Sequence, residues 1–535
     1  MTGLIVITGV SAGLAGAGVW AASASQPVAA ARPAAATAPC DQHSLQAALD
    51  HGGVLDFAKG CTLNLSRELT IPSGDHVTLD GDGHHVTLNG GSTSYHPLND
   101  FTRVFMVEGT LTLENLTVAH GEVIGATPRG GANGAAGKEG TAPGQTGGQG
   151  KPGGKAGNGG DAQGGGIYVK KGAALTASHV DFTANTAYGA YGGDGGTGGP
   201  GGQGGPANGG AAGDGGKGAD GGDAGDGGAG QGGAIYNLGK LTLIGGTFSG
   251  DHAFGGTGGA GGYGGPGGAG GEVQNSGTFG NGGDGADGGQ GGLGGDAAGG
   301  AIYSSGSLLA EGNQFSKNSA VGGAAGIGGD GGQGGSGFCP SGNPSDCGGN
   351  TGGDGGNGGD GGDGGEGTGG AVYGTGTVHL EGTGFSADKV AGGTVGPDCT
   401  EPNPGCGGAG GPGGGFATNP GMAGDPGDQG KAGGATFATS NVKPASLPPV
   451  MVTTKSLAHG RVGKSYHATL AAKGGIAPYK WLVKGLPKGL AATASGVISG
   501  KPSTAGSFRL TITVTDPTAA KRTTAKAKLT LTVAK

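Results

Sequence analysis

Four stretches of the chain repeat one pattern of apolar and polar positions. Each opens on Gly-Gly or Gly-Ala, then an aliphatic residue, then Tyr: Gly165-Gly166-Ile167-Tyr168, Gly233-Ala234-Ile235-Tyr236, Gly300-Ala301-Ile302-Tyr303 and Gly370-Ala371-Val372-Tyr373. A degenerate fifth copy is Gly434-Ala435-Thr436-Phe437, and the copies lie 68, 67, 70 and 64 residues apart. Each full copy continues through a short alternating stretch, such as Leu241-Thr242-Leu243, to a Phe with Asn or Asp three residues on. These are Phe182/Asn185, Phe248/Asp251, Phe315/Asn318 and Phe385/Asp388. Period-2 alternation in 12 to 14 residues, rich in Gly and β-branched side chains, predicts two or three short strands and no helix. Short strands with equivalent apolar positions predict coils stacked as a parallel β-helix. Upstream, Leu69 and Ile71, Val77 and Leu79, Val86 and Leu88, and then Val104 to Val118 alternate in the same way and read as the first coils.

Between the coil pieces lie five excursions, roughly residues 125–163, 188–231, 254–298, 321–368 and 392–432, built of Gly-Gly-X triplets. Of the 146 Gly in the 535 residues, 123 fall in residues 121–446. Interior Gly costs a helix about 1 kcal/mol relative to Ala, so no ordinary helical domain fits there. Collagen needs one Gly per triplet and imino acids, which this pattern lacks. A left-handed extended helix with three residues per turn suits it, leaving two bare faces on which backbones can approach. Disorder is the competing reading of such composition. Packing is argued by five excursions held side by side on stacked coils.

Beyond a Pro-containing linker at 441–449, residues 450–535 read as an all-β sandwich, with strands expected near 450–453, 467–471, 479–483, 508–515 and 529–533. Charge divides at the same place. Residues 447–535 carry 14 Lys and Arg against one acid, Asp516, so a tail of +13 follows a body of −21 within a net charge of −8. At the other end, residues 1–24 are apolar with Ala22-Ser23-Ala24 as a cleavage site and read as a signal peptide, although no Lys or Arg precedes the apolar run. Residues 25–39 form an Ala/Pro-rich linker. No later stretch is long and apolar enough to span a bilayer. Export permits disulfides, and the six cysteines form three near pairs, Cys40/Cys61, Cys339/Cys347 and Cys399/Cys406, which we expect to be bonded within pairs.

The Gly-Ala-Ile-Tyr and Phe-x-x-Asn pair resembles the GGA(I/V) and FxxN repeats of polymorphic outer-membrane proteins. That resemblance implies a right-handed, pectin-lyase-like parallel β-helix over residues 40–440 and an adhesin role. The soluble tail departs from that family's barrel anchor. The arms resemble the glycine-rich repeats of mycobacterial PGRS proteins, without their N-terminal domain. The tail resembles the putative Ig-like modules, of cadherin-like fold, found in bacterial surface proteins. The matching residues are Gly475-Ile476-Ala477-Pro478-Tyr479-Lys480-Trp481, Leu486-Pro487-Lys488-Gly489-Leu490 and Gly496-Val497-Ile498-Ser499-Gly500.

Candidate chemistry is sparse. Asp75, Asp80 and Asp82 with His76, His84 and His85 form one polar cluster, which reads as a turn between early coils rather than a lyase or hydrolase site. The recurrent Asn185, Asp251, Asn318 and Asp388 read as a ladder capping coil turns. Asp354, Asp360 and Asp363 resemble calcium nonapeptides but lack the aliphatic position and the period of nine, which leaves calcium as the one cofactor to consider. A nucleotide-binding fingerprint would be a false reading among so many glycines, because no strand–helix context surrounds them. Lys480, Lys484 and Lys488 with Tyr479 are the candidate binding residues, for an anionic polymer, and Trp481 is the expected core residue of the sandwich. The reading is an extracellular or cell-surface, non-enzymatic binding or adhesion protein that takes an anionic envelope polysaccharide and no nucleic acid. A β-helical polysaccharide lyase or hydrolase and a purely structural envelope component are the alternatives.

Overall fold

The structure is a computed structural model that describes residues 35–91, 102–338, 351–394, 431, 437–438, 450–473, 479–516 and 523–535. The signal segment and most of the fifth excursion lie outside the described residues. So do Cys339, Cys347, Cys399 and Cys406, and with them the expected Cys339–Cys347 and Cys399–Cys406 disulfides. Of the three expected pairs, Cys40–Cys61 is the one among the described residues, and it is bonded.

From residue 36 to residue 391 every strand pairing is parallel, and each coil repeats the register of the one before. Three sheets wrap a single core. One runs through 69–71, 105–107, 167–169, 235–237, 302–304 and 372–374, and Phe437–Ala438 extends it. The second runs through 76–80, 110–114, 174–178, 240–244, 307–311 and 377–381, and the third through 86–89, 117–119, 181–183, 247–249, 314–316 and 384–386. Alternation sends Ile235, Leu241, Leu243 and Phe248 inward, and their equivalents stack above and below them. The Phe column is a continuous ring stack, with centroids 4.6, 4.5 and 5.2 Å apart from Phe182 to Phe385. Tyr168, Tyr236, Tyr303 and Tyr373 form a second column with centroids 4.9 to 5.4 Å apart. It lies on the outside of its sheet, since the residues on either side of each Tyr point into the core, and Tyr236, between two other Tyr, is covered to 7% exposure by its neighbours in the column.

The Phe-x-x-Asn motif is a corner. Two residues after the Phe the backbone turns through positive φ, at Ala184, Gly250, Lys317 and Ala387. The next residue points inward and ties its coil to its neighbours. Asn185 donates Nδ2–H and its amide N–H to Asp251 Oδ1, both at 2.9 Å, and Asn318 treats Asp388 Oδ1 in the same way at 2.8 and 2.9 Å. The Asn side chains also donate Nδ2–H to the carbonyls of Val118 and Phe248. An Asp has no such hydrogen when ionised, so Asp251 Oδ2 and Asp388 Oδ2 are buried without a partner. Burial pushes the Asp251 carboxyl up to about 7 and raises Asp388 as well.

A short helix, Gln42–Leu49, closes the N-terminal end, and the strand pattern does not announce it. Asp41 caps it by accepting the Ser44 N–H, and Leu45 and Leu49 plug the core. Gln46 covers the edge strand 69–71, accepting the Thr70 N–H and donating to the Thr70 carbonyl, both at 2.9 Å. The Cys40–Cys61 disulfide staples this cap to strand 61–64, which pairs with 86–89 at the start of the third sheet. Among the described residues no helix is long and apolar enough to cross a membrane.

The four Gly-Gly-X excursions whose limbs are among the described residues are packed. Each leaves the third sheet through one more strand (122–124, 186–188, 252–254, 319–321), runs out, turns and comes back to the next coil. In the described arms the outgoing limbs are 125–140, 189–205, 255–271 and 322–338, and the returning limbs 147–161, 213–229, 280–296 and 351–366. Outgoing limbs stack on outgoing limbs and returning limbs on returning limbs, which makes a slab two layers thick. The first Gly of a triplet donates within its layer, as Gly195 does to Ala260 and Gly261 to Ile327. The second Gly donates between layers in an unbroken zigzag, from Gly362 through Gly326, Gly292, Gly259, Gly225 and Gly193 to Gly157, at 2.8 to 3.0 Å. Backbone groups thus find partners without a conventional sheet, as buried peptide groups must. A Cβ on Gly259 would lie 2.0 Å from the Gly193 carbonyl oxygen, so both Gly of the triplet face neighbouring backbone. The interior slots of limbs 189–229 and 255–296 hold nothing larger than Ala.

Residues 450–535 form two facing antiparallel-rich sheets, 460–461/523–534/506–516/480–484 and 466–469/497–500/490–492, with a separate antiparallel pair of 451–452 and 472–473. Trp481, Ile498, Leu510, Ile512, Val514 and Leu531 fill the space between them.

Three outcomes test this architecture. Phe315→Ala should destabilise the β-helix by ~3–5 kcal/mol in chemical denaturation, because the ring is fully buried and stacked on both sides. Gly259→Val should cost at least ~1–3 kcal/mol by overpacking, whereas Thr257→Val, two residues away on the outer face, should stay within about 0.5 kcal/mol in the same assay. The raised Asp251 carboxyl binds its proton more tightly folded than unfolded. Its contribution is therefore present in full below the ordinary value of 3.8, is lost as pH rises through about 7, and is flat above that. Asp251→Asn, which supplies the missing Nδ2–H, should raise the melting temperature at about pH 8 and flatten its fall between about pH 4 and about pH 7.

Candidate functional site

Two surfaces concentrate chemistry. The first is the outer face of the C-terminal sheet. Leu510, Ile512 and Val514 point inward, so Arg509, Thr511, Thr513 and Thr515 point out. Register then places Lys484 and Lys528 on either side of Thr511, Leu482 and Lys526 on either side of Thr513, and Lys480 and Thr524 on either side of Thr515. Arg509 pairs with Thr530 at the end of the same face. Five cations thus frame a stripe of threonine hydroxyls, with Leu482 55% exposed between them and no carboxylate in any of these rows. Strands about 4.8 Å apart put Lys484 and Lys528 roughly one Debye length apart at physiological salt, so their fields add.

Of the residues expected to bind, Lys480 and Lys484 belong to this face. Lys488 lies apart from it, exposed on the turn before strand 490–492, where its carbonyl accepts from Ser503. Tyr479 is half-buried and packs edge-on to Trp481, with centroids 6.4 Å apart, instead of lying open as a platform. Trp481 is core, 8% exposed, with Gly496 at φ +90° packed beneath its indole, where a Cβ would meet the ring at 2.8 Å. Arg509, Lys526 and Lys528 were missed. Their signal was polar alternation along two long strands, but only the pairing register shows that they share a face with Lys480 and Lys484.

The second surface is the arm slab, whose two faces differ. The outward positions of the described returning limbs hold twelve acids against Lys155 and Lys217. These carboxylates have a structural task. Oδ1 of Asp214, Asp226, Asp284, Asp287 and Asp296 each accepts the amide N–H of the aligned residue one arm on, at 2.6 to 3.1 Å. Asp284 is held below the usual carboxylate range by its hydrogen bond from Lys217. Asp354, Asp360 and Asp363 sit in this lattice, and among the described residues no group of three or more His, Cys, Asp or Glu is placed to hold a metal ion. Among the described residues the outgoing limbs carry Glu139, Asp194 and Asp330 at third triplet positions, with Glu272 at the far end and Arg129 and Lys138 on the edge limb. The outgoing face displays Tyr191 and Tyr263, 68% and 58% exposed, together with Ile327, Pro200 and Pro266. Its base is the ladder Ile124–Tyr188–Phe254–Val321, in which Tyr188 and Phe254 stack at 4.8 Å.

The early polar cluster is a turn. Asp80 is buried and accepts from the Asp82 N–H and from Asn115 Nδ2, Asp82 takes positive φ, and His84 and His85 face solvent.

Residues 448–534 match the family model described as "Putative Ig domain". The search of curated proteins finds no match. Among solved structures the chain is similar to a putative α-galactosidase/melibiase and a second putative α-galactosidase, both from Bacteroides fragilis, at 19% and 16% identity with TM-scores of 0.15 and 0.14. Each likeness covers 16% of this chain and 17% of the other, and scores this low carry no structural argument.

Proposed function

We propose that this chain is an extracellular binding protein whose Ig-like domain docks on anionic polymers of a cell envelope or matrix, leaving the acidic β-helix and its arms as the displayed body. The carrying observation is the cationic face, on which Lys480, Lys484, Arg509, Lys526 and Lys528 surround half-exposed threonines with no carboxylate in the same rows. Phosphate, sulfate or uronate groups spaced along a polymer suit such a face, since ammonium and guanidinium groups bind them by charge while hydroxyls complete their hydrogen bonds. The division of charge orients the protein, because the −21 body is repelled by the surface that attracts the +13 domain. Folds of the β-helix kind also host polysaccharide-cleaving enzymes, but the acid cluster that would serve one is taken up by the turn at Asp80.

Retention of the full chain on immobilised teichoic acid-like or uronate polymer should fall steeply between about 0.05 and about 1 M salt as the screening length shrinks. The Lys484→Glu/Lys526→Glu/Lys528→Glu variant should elute at much lower salt than the parent, while Lys473→Glu/Lys501→Glu, away from the face, should shift little. Salt-insensitive retention, or equal elution of all three proteins, would refute the proposal.

A further inference from the structure

Among the described residues the outgoing face of the arm slab is uncovered, and its composition is unlike that of any other surface described. Of the nine large apolar side chains exposed among the described residues, Ile124, Tyr188, Tyr191, Tyr263 and Ile327 lie on it. Contiguous exposed apolar surface on a rigid element marks a place where another surface packs. Here the backbone below is held by the zigzag ladder, so the side chains are presented on a flat, pre-ordered floor and little entropy remains to be lost on docking.

We propose that this face is a self-association surface, on which a second copy of the chain packs outgoing face to outgoing face in a two-fold dimer. Area supports that occupant. Five triplets at about 9.3 Å each span about 47 Å along a limb, and four limbs about 4.8 Å apart span about 19 Å. The product, roughly 900 Å² per partner, meets the roughly 800 Å² of a standard-size interface. Charge selects the face. The returning side, with twelve acids to two lysines, repels its own copy, whereas the outgoing side has three acids dispersed over four limbs, with Glu272 and Glu122 at its two ends. Relief is self-complementary too. Tyr191 and Tyr263 stand as knobs beside the small residues Gly130, Ala260 and Ala324, with Asp194 and Asp330 between them, and a two-fold axis sets the knobs of each copy on the small residues of the other. Aromatic anchors of this kind carry most of the energy of an interface.

Sedimentation velocity on the full chain from micromolar to hundred-micromolar concentration tests this. The expected result is a reversible monomer–dimer equilibrium that tightens in ammonium sulfate, since excluded salts strengthen apolar burial. That response is opposite in sign to polymer binding through the cationic face, so failure of one proposal is distinguishable from failure of the other. Tyr191→Glu/Tyr263→Glu should weaken dimerisation at least about a hundredfold, with two anchors lost and charge added on both sides. Its circular dichroism and melting temperature should stay at parental values, since both sites are outward triplet positions. Asp223→Lys/Asp287→Lys on the returning face should leave the dimer intact. A parent that is monomeric throughout, or a Tyr191→Glu/Tyr263→Glu variant that still dimerises, would overturn the proposal. So would glycan-array binding by a monomeric parent that is lost in that variant, which would assign the face to carbohydrate stacking.

Discussion

Parallel, in-register stacking of one coil on the next is the interaction on which the rest of the β-helix depends. Because every strand pairs with its equivalent one coil away, each side chain meets its own counterpart, and a column that suits one residue type suits the whole repeat. Phe182 to Phe385 stack as rings only because no coil slips by a residue; a slip of one would turn every Phe from core to solvent. The corner behind each Phe enforces that register. Asn185, Asp251, Asn318 and Asp388 bond both to one another and to backbone, so a shifted coil would leave several buried polar groups unsatisfied.

The same stacking turns the glycine-rich arms from a poor sequence into an ordered one. Alone, a Gly-Gly-X limb loses more backbone entropy on ordering than any other composition and has few side chains to bury in return. Anchored at both ends to consecutive coils, its equivalent residues arrive already aligned, and two bare faces per turn let carbonyls and amides of adjacent limbs meet. Order in the arms is thus inherited from the coils, and the absence of side chains is the condition for it. The third residue of each triplet is free of that constraint and, on the inner arms, carries the surface chemistry. Asp and Asn recur there because their short side chains reach the unpaired amide of the next arm, as Asp214 does for Asn281 and Asn133 for Thr197.

A slab of this kind separates its two faces without a hydrophobic core between them. Outgoing and returning limbs see different neighbours but the same packing rule, so each face can be given its own composition, one acidic and one apolar and weakly charged. The Ig-like domain solves the opposite problem in the ordinary way, with large residues between two sheets and polar ones outside. There Trp481 and Tyr479 are enlisted for packing, and binding is left to lysines, arginine and threonines.

Much of this was legible in the residues themselves. Period-2 alternation and a 64–70-residue repeat are local properties of the chain, so the coils, their inward Phe column, the arms and the C-terminal sandwich could all be read from them. The Cys40–Cys61 pairing was also within reach. The cap helix was not, because its eight residues are too few for periodicity to stand out and its stability comes from the open coil end that Leu45 and Leu49 fill. Nor could sequence decide between packed and disordered arms, since that depends on neighbours some 67 residues away being aligned by the hydrogen bonds of the coils. The cationic face is the same case. Lys526 and Lys528 lie more than 40 residues from Lys480 and Lys484, and only the antiparallel register of three strands sets them within one another's field. Sequence determined which side chains face outward, because alternation is a property of one strand; tertiary structure decided which of them act together, because proximity is a property of several.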